Sequence, residues 1–133
     1  MLAAVRSNTL LATRRAFSTS PAARKHFLAA TAEQFEAQAI KGSKVTVVDF
    51  YADWCGPCRF LSPVLERVVS EESGADLMTI DTEAQQELAQ KYKIASLPTV
   101  LAFKNGEILG KFIGAQPESG VKHFLAEVTK EKK

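Results

Sequence analysis

The sequence predicts an α/β domain with a mixed central sheet of about five strands, flanked by about four helices. Apolar, β-branched runs alternate with amphipathic helical patterns along most of the 133 residues, and this alternation indicates parallel strands joined by helices. The last two apolar runs are instead separated by Lys104-Asn105-Gly106, a strong signal for a tight hairpin between antiparallel strands. A chain of this length needs only one domain.

The first three elements follow from short patterns that precede the cysteines. Lys25–Leu28 is short and apolar and predicts an edge strand. Thr31 and Gln34 have the spacing of a capping box, which starts a helix that runs to about Ile40. Val45–Tyr51 is too continuously apolar for a half-exposed strand, so we expect a central strand that is buried on both faces.

The rest of the chain predicts three helices and three strands. A helix begins at about Pro57, and its internal Pro63 bends it without ending it. Thr82 or Asp81 caps a helix that ends near Tyr92, and an amphipathic helix closes the chain. The strands are predicted at Asp76–Asp81, Thr99–Phe103 and Glu107–Ile113.

Residues 1–24 have the composition of an organelle-targeting segment. They contain four arginines, no acidic residue, and many alanine, serine and threonine residues. This composition is typical of transit peptides and favours the mitochondrion over the plastid; the alternative is a disordered basic tail that binds an acidic partner. The pattern from Arg15 to Arg24 resembles a two-step processing site with an octapeptide that starts at Phe17 and a mature chain that starts at Lys25. A single cut beside Phe17 is the competing interpretation.

The predicted mature domain, residues 25–133, has 13 basic and 15 acidic side chains and a net charge of −2. This charge argues against nucleic-acid binding. No apolar run approaches the roughly 18 residues that a membrane-spanning helix needs. We therefore expect a chain that binds neither nucleic acid nor a membrane. We also expect a monomer.

The only two cysteines, Cys55 and Cys58, stand three positions apart. A structural zinc site needs four ligands, and the two histidines lie far from the pair in sequence. A structural disulfide across so short a loop would restrain the unfolded chain little. A buried pair of free thiols is the third alternative. The position favours a pair that cycles between dithiol and disulfide, because it lies where a buried strand ends and a helix begins.

The start of that helix suits redox chemistry. A thiolate at Cys55 would face unpaired helix amides, which lower its pKa and keep it reactive near neutral pH. Cys58, one turn further, would be more enclosed and would remain a thiol until needed. Gly56 allows the backbone of a partner to approach closely, and Pro57 fits the first helical turn.

Several motifs resemble those of thioredoxins and occur in the same order. Val47–Cys58 resembles the active-site segment, Ala95–Thr99 the cis-proline loop, Phe103–Gly106 the hairpin, and Gly114-Ala115 the glycine turn. The resemblance covers the chain from about Lys25 to the C-terminus. It implies the thioredoxin fold and protein-disulfide reductase activity. With the targeting segment at residues 1–24 included, the chain resembles the mitochondrial members of the family. This resemblance implies a location in the mitochondrial matrix.

The resemblance also implies the roles of individual residues. Cys55 matches the cysteine that attacks a target disulfide, and Cys58 matches the one that resolves the mixed disulfide. Pro98 matches a cis-proline that faces the sulfurs, and the backbone of Leu97 would pair with an extended target segment. Trp54 matches a ring beside the site, although it could be an ordinary aromatic residue at a strand end. The implied substrate-binding residues are Trp54, Gly56, Pro57, Leu97, Pro98 and Gly114.

Asp49 is the most informative residue outside the cysteine motif. A carboxylate within Val45–Tyr51 would be buried, and burial raises its pKa. It matches the buried aspartate of the family, which could hold the proton that Cys58 loses; a salt-bridged or strand-end aspartate is the alternative. Leu77 stands where bacterial members have a lysine near this aspartate, so we expect a higher proton affinity here.

The resemblance implies no bound cofactor and no metal, with Cys55-Cys58 as a redox-active disulfide. Electrons would come from NADPH through a separate thioredoxin reductase, since the chain has no glycine-rich nucleotide fingerprint. The implied substrates are disulfide-bearing proteins such as peroxiredoxins. Two other functions stay open: a disulfide isomerase, which Pro57 disfavours, and a binding module in which the cysteines are incidental.

Overall fold

The computed structural model describes residues 26–70 and 73–130. The predicted targeting segment, residues 1–24, lies outside the described residues. Five strands form one sheet in the order β1-β3-β2-β4-β5. Strands β1, β2 and β3 run parallel to one another, and β4 is antiparallel to both β2 and β5. The strands are β1 His26–Phe27, β2 Val45–Tyr51, β3 Ala75–Asp81, β4 Thr99–Lys104 and β5 Glu107–Ile113. The predicted mixed sheet is therefore confirmed.

In the part of the chain that the structure describes, four α-helices flank this sheet, as predicted. They are α1 Ala32–Phe35, α2 Gly56–Val68, α3 Gln86–Lys91 and α4 Glu118–Thr129, and α1 continues as a π-helical segment at Glu36–Ile40. The predicted capping box is present, because the Thr31 hydroxyl accepts a hydrogen bond from the Gln34 backbone N–H and the Gln34 side chain accepts one from the Thr31 N–H. Pro63 lies inside α2, which continues past it. No helix of the described residues is long and apolar enough to span a membrane.

The prediction that α3 starts at Thr82 or Asp81 is wrong. The Asp81 carboxylate accepts hydrogen bonds from the backbone N–H groups of Glu83 and Ala84, as an N-cap would, but the turn that it closes does not continue as a helix. The helix begins only at Gln86. This turn lies at the end of β3, beside the site described below.

The core has one layer on each face of the sheet. The first layer packs α2 and α4 against one face and includes Val47, Leu65, Leu77 and Leu125. The second packs the α1 segment against the other face and includes Phe35, Phe50 and Phe103. Strand β2 is buried on both faces, as expected. Because side chains alternate along a strand, Asp49 points to the same face as Val47, the face covered by α2.

Candidate functional site

The two cysteines lie at the junction between β2 and α2. Cys55 is the N-cap of α2, with an extended backbone, and its Sγ accepts a hydrogen bond from the Cys58 backbone N–H at 3.2 Å. Pro57 occupies the first turn, where a backbone N–H would have no hydrogen-bond partner within the helix, so its absence does not weaken the helix. Cys55 and Cys58 form a disulfide, with their Cα atoms 5.3 Å apart. The structure thus holds the oxidised state of the pair.

In this oxidised state the two cysteines are almost equally enclosed. Cys55 is 4% exposed and Cys58 is 2% exposed, so exposure alone does not separate the predicted attacking and resolving sulfurs. The position in the helix still distinguishes them, because only Cys55 is the N-cap. The unequal reactivity of the two thiols remains a prediction about the reduced protein.

Hydrogen bonds fix the loop between β2 and α2. The Cys55 N–H donates to the Ala52 carbonyl at 3.1 Å, and the Arg59 guanidinium donates to the Asp53 carbonyl at 3.0 Å. Both the backbone N–H and the hydroxyl of Thr82 donate to the Tyr51 carbonyl, at 2.9 and 3.0 Å. The turn after β3 therefore supports the end of β2 just before the cysteines.

Trp54 is 68% exposed on this loop. Its indole Nε1–H donates to a carboxylate oxygen of Glu83 at 2.6 Å. Glu83 was not singled out in the sequence, and Thr82 was considered only as a possible helix cap. No local pattern could have identified them, because the contacts span 29 and 31 residues.

The loop before β4 brings Leu97 and Pro98 to the disulfide. The Leu97–Pro98 peptide bond is cis, as the resemblance implied. Leu97 packs against the small cluster that Cys55 and Cys58 form with Ala52. The Gly114 N–H donates to the Pro98 carbonyl at 2.8 Å, so the end of β5 is tied to the same loop.

Gly114 and Gly56 leave the surface near the disulfide open. Gly114 has φ +92°, a conformation that favours glycine. No heavy atom lies within 4 Å of the place that a Cβ would take at either glycine. Of the predicted substrate-binding residues, Gly56 and Pro57 lie in the first turn of α2, and Trp54, Leu97, Pro98 and Gly114 lie in loops.

Asp49 is fully buried on β2. Neither carboxylate oxygen has a hydrogen-bond partner among the described residues. Burial raises the pKa of Asp49 from 3.8 to about 7. The alternative of a salt-bridged aspartate is contradicted, since none of the ion pairs in the described part of the chain includes Asp49.

The neighbouring strand supplies no cation to Asp49. Thr79 is the direct partner of Asp49 in the parallel register, and Leu77 pairs with Val47, two positions earlier. Leu77 points to the same face as Asp49 and is fully buried. An apolar side chain therefore lies close to the aspartate, and burial is the only cause of its raised pKa.

A hollow of about 410 Å³ opens beside Cys58. Its polar walls include the side chains of Tyr51, Ser62 and Glu66. A larger hollow of about 580 Å³ lies along α3 and contains neither cysteine, so the smaller one is more relevant to the chemistry. No group of three or more possible metal ligands is present in residues 26–70 and 73–130.

Comparison with known proteins decides the family. The sequence model of the thioredoxin family matches residues 26–127. The chain belongs to the thioredoxin family. Two similar members are the mitochondrial thioredoxin of Bos taurus, 39% identical over 95 residues, and Thioredoxin-1 of Saccharomyces cerevisiae, 40% identical over 96 residues. The matched regions cover 71% and 72% of this chain. The chain spans 57% of the bovine protein's length and 91% of the yeast protein's.

Solved structures of thioredoxins have the same fold. A mutant thioredoxin from Halobacterium salinarum superposes with a TM-score of 0.70 at 31% identity, covering 83% of this chain and 95% of that one. The thioredoxin of Malassezia sympodialis gives a TM-score of 0.70 at 30% identity, covering 80% and 91%. The fold and family predicted from the motifs are thus confirmed. Thioredoxins are disulfide oxidoreductases, and the disulfide of this family member is Cys55–Cys58.

Proposed function

We propose that this thioredoxin reduces disulfide bonds in other proteins and works as an electron carrier in the mitochondrial matrix. The observation that supports this most is the placement of the disulfide. It lies at the N-terminus of α2, beside Leu97 of the cis-proline loop, and on the helix that covers the face of the sheet to which the buried Asp49 points.

The first step is attack by Cys55. In the reduced protein its thiolate attacks one sulfur of a target disulfide, which forms a mixed disulfide and releases the other target sulfur as a thiolate. The N-cap position favours the thiolate, because the helix end carries partial positive charge. The Cys58 N–H that now donates to the Cys55 sulfur would stabilise the same charge.

The second step is resolution by Cys58. Its thiol gives a proton to Asp49, and the resulting thiolate attacks the Cys55 sulfur, which releases the second target thiolate and forms the Cys55–Cys58 disulfide. Two electrons have then passed to the target. A carboxylate with a pKa of about 7 is suited to this step, since it can both accept and return a proton near neutral pH.

Protein substrates would dock on the apolar rim of the site. Trp54 and Phe60, which flank the cysteine motif in the sequence, are 68% and 78% exposed, and aromatic side chains are enriched at protein–protein interfaces. The open surface at Gly56 and Gly114 leaves room for an extended segment of the target. We expect its backbone to pair with that of Leu97.

The partners would be a thioredoxin reductase that draws on NADPH and disulfide-bearing proteins such as peroxiredoxins. The mitochondrial location is supported by the leader composition and by the likeness to the mitochondrial thioredoxin of Bos taurus. Each cycle would end when the reductase returns two electrons to the Cys55–Cys58 disulfide.

A coupled assay tests the function. Purified protein is mixed with NADPH, a thioredoxin reductase and insulin, and NADPH oxidation is followed. We expect steady oxidation that needs all components and is lost in the Cys55→Ser/Cys58→Ser variant. Thioredoxins are known to have potentials of about −270 mV, whereas strong oxidants of this fold reach about −120 mV. A measured potential near the second value would refute the reductase assignment in favour of an oxidant or isomerase.

The physiological targets are accessible by trapping. A Cys58→Ser variant cannot resolve the mixed disulfide, so it should retain its targets when it is expressed in mitochondria. Mass spectrometry of the trapped proteins should identify thiol-dependent enzymes. A Cys55→Ser variant is the control, because it should trap nothing through the attacking sulfur.

A further inference from the structure

The orientation of Trp54 depends on one hydrogen bond. Its ring is mostly exposed, and it takes part in none of the ring–ring contacts found among the described residues. Packing therefore restrains it little. The 2.6 Å bond from its Nε1–H to the Glu83 carboxylate is charge-assisted, the stronger class of hydrogen bond.

Glu83 is itself held in place by the turn after β3. Its backbone N–H donates to the Asp81 carboxylate at 2.9 Å. The preceding residue, Thr82, donates twice to the Tyr51 carbonyl at the end of β2. The carboxylate of Glu83 thus projects from a turn that is anchored to the same strand end that leads to Trp54 and Cys55.

We propose that Glu83 is a positioning residue that sets the selectivity of the disulfide for protein partners, by holding the Trp54 indole as one wall of the docking surface. The inference rests on the proposed function, because it concerns partners of the same site. Glu83 has no role in the exchange of electrons, which takes place at the sulfurs.

The role predicts different effects on large and small disulfides. A polypeptide that docks across the site contacts the indole, so a mobile ring must be ordered at each encounter. Ordering one such side chain weakens binding by about two- to tenfold. A small disulfide reaches Cys55 without covering the ring, so its reaction rate should not depend on Glu83.

Three variants separate these effects. Glu83→Ala removes the hydrogen bond, whereas Glu83→Gln removes the charge but keeps an oxygen that can accept from the indole. Glu87→Ala is the matched control, because it deletes an exposed carboxylate of the next helix four residues away. Urea unfolding of each variant checks that the fold is unchanged.

Fluorescence gives the first readout. The chain contains a single tryptophan, so all tryptophan emission reports on the ring of Trp54. We expect the steady-state anisotropy to fall in Glu83→Ala and to stay near the wild-type value in Glu83→Gln and Glu87→Ala. Unchanged anisotropy in Glu83→Ala would overturn the positioning role.

Kinetics give the second readout. With the protein as varied substrate of a thioredoxin reductase, we expect Glu83→Ala to raise KM about two- to tenfold at unchanged kcat. Its rate with the neutral disulfide 2,2′-dithiodipyridine should stay within about twofold of wild type, and Glu83→Gln should restore most of the KM. The selectivity role would be overturned by any of three results. These are an unchanged KM in Glu83→Ala, an equal rise in KM in Glu87→Ala, and a KM in Glu83→Gln as high as that in Glu83→Ala.

Failure of the reductase function and failure of the positioning role of Glu83 give different results. A wild-type protein that neither accepts electrons from the reductase nor reduces insulin would refute the proposed function, and with it the selectivity role. The anisotropy would still decide whether Glu83 holds the ring. An active wild type with no change in Glu83→Ala would refute this inference alone.

Discussion

The substitution Asp49→Asn tests the buried carboxylate most directly. The pKa of Asp49 rises from 3.8 to about 7 because the folded protein removes the group from water. Each pKa unit corresponds to about 1.4 kcal/mol, so full ionisation in the fold costs about 4 kcal/mol. Relaxation of the protein around the charge lowers what is measured, and we expect about 2–4 kcal/mol. An amide of nearly the same size carries no such cost.

The cost depends on pH in a defined direction. Below about pH 4 the carboxyl is protonated in both the folded and the unfolded chain, so the wild type has its full stability. Between about pH 4 and 7 the unfolded chain loses the proton while the fold keeps it, and the free energy of unfolding falls. Above about pH 7 both states are ionised, and the loss stops growing. The free energy of unfolding of Asp49→Asn relative to wild type should therefore increase from pH 4 and level off above pH 7.

Urea unfolding of the oxidised wild type and of Asp49→Asn between pH 4 and 9 measures this difference. Asp76→Asn is a useful control, because Asp76 is also buried on a strand but is paired with Lys44 at 3.5 Å. We expect that change to destabilise the fold. A difference between wild type and Asp49→Asn that stays constant with pH would refute the raised pKa. In single-turnover experiments, resolution of the mixed disulfide should slow at least about tenfold in Asp49→Asn; an unchanged rate would leave Asp49 without a role in proton transfer.

Three further predictions concern the leader, the thiols and the glycine turn. Protein purified from mitochondria should start at or near Lys25 by mass spectrometry, and an intact initiator methionine would contradict the proposed processing. Iodoacetamide should alkylate Cys55 of the reduced protein much faster than Cys58 near neutral pH, as peptide mapping over time would show; equal rates would contradict the assignment of roles. Gly114→Ala forces an alanine to φ +92° and should lower the free energy of unfolding in urea by about 1 kcal/mol or more, whereas Gly56→Ala, which lies in a helix with open space at its Cβ, should not.

The features that the sequence predicted well depend on residues that are close together in the chain. The central strand follows from a continuous apolar run, the hairpin from Asn105-Gly106, and the redox pair from two cysteines at a helix start. Burial of Asp49 was also predictable, because both faces of such a central strand are covered, so any side chain within it is buried. These are local patterns, and each needs only a few neighbouring residues to be read.

The features that were missed depend on side chains that meet through the fold. The start of α3 was misplaced because the Asp81 carboxylate accepts the two hydrogen bonds of an N-cap, but the turn that follows does not continue into the helix. The contact between Trp54 and Glu83 joins two different strand ends, and no spacing in the sequence encodes it. The π-helical turn at Glu36–Ile40 was likewise expected as plain α-helix.

The cysteine pair closes a loop of only four residues, yet Leu97, from a distant part of the chain, packs against it. Folding and oxidation therefore form one thermodynamic cycle. Whichever redox state the native surroundings stabilise more also unfolds at the higher denaturant concentration. The oxidised and the reduced protein differ in their free energy of unfolding. This difference must correspond to the difference in reduction potential between the native site and the same cysteine pair in the unfolded chain. About 30 mV corresponds to 1.4 kcal/mol. A substitution far from the sulfurs that stabilises only one of the two states will shift the reduction potential of the Cys55–Cys58 disulfide by the same free energy.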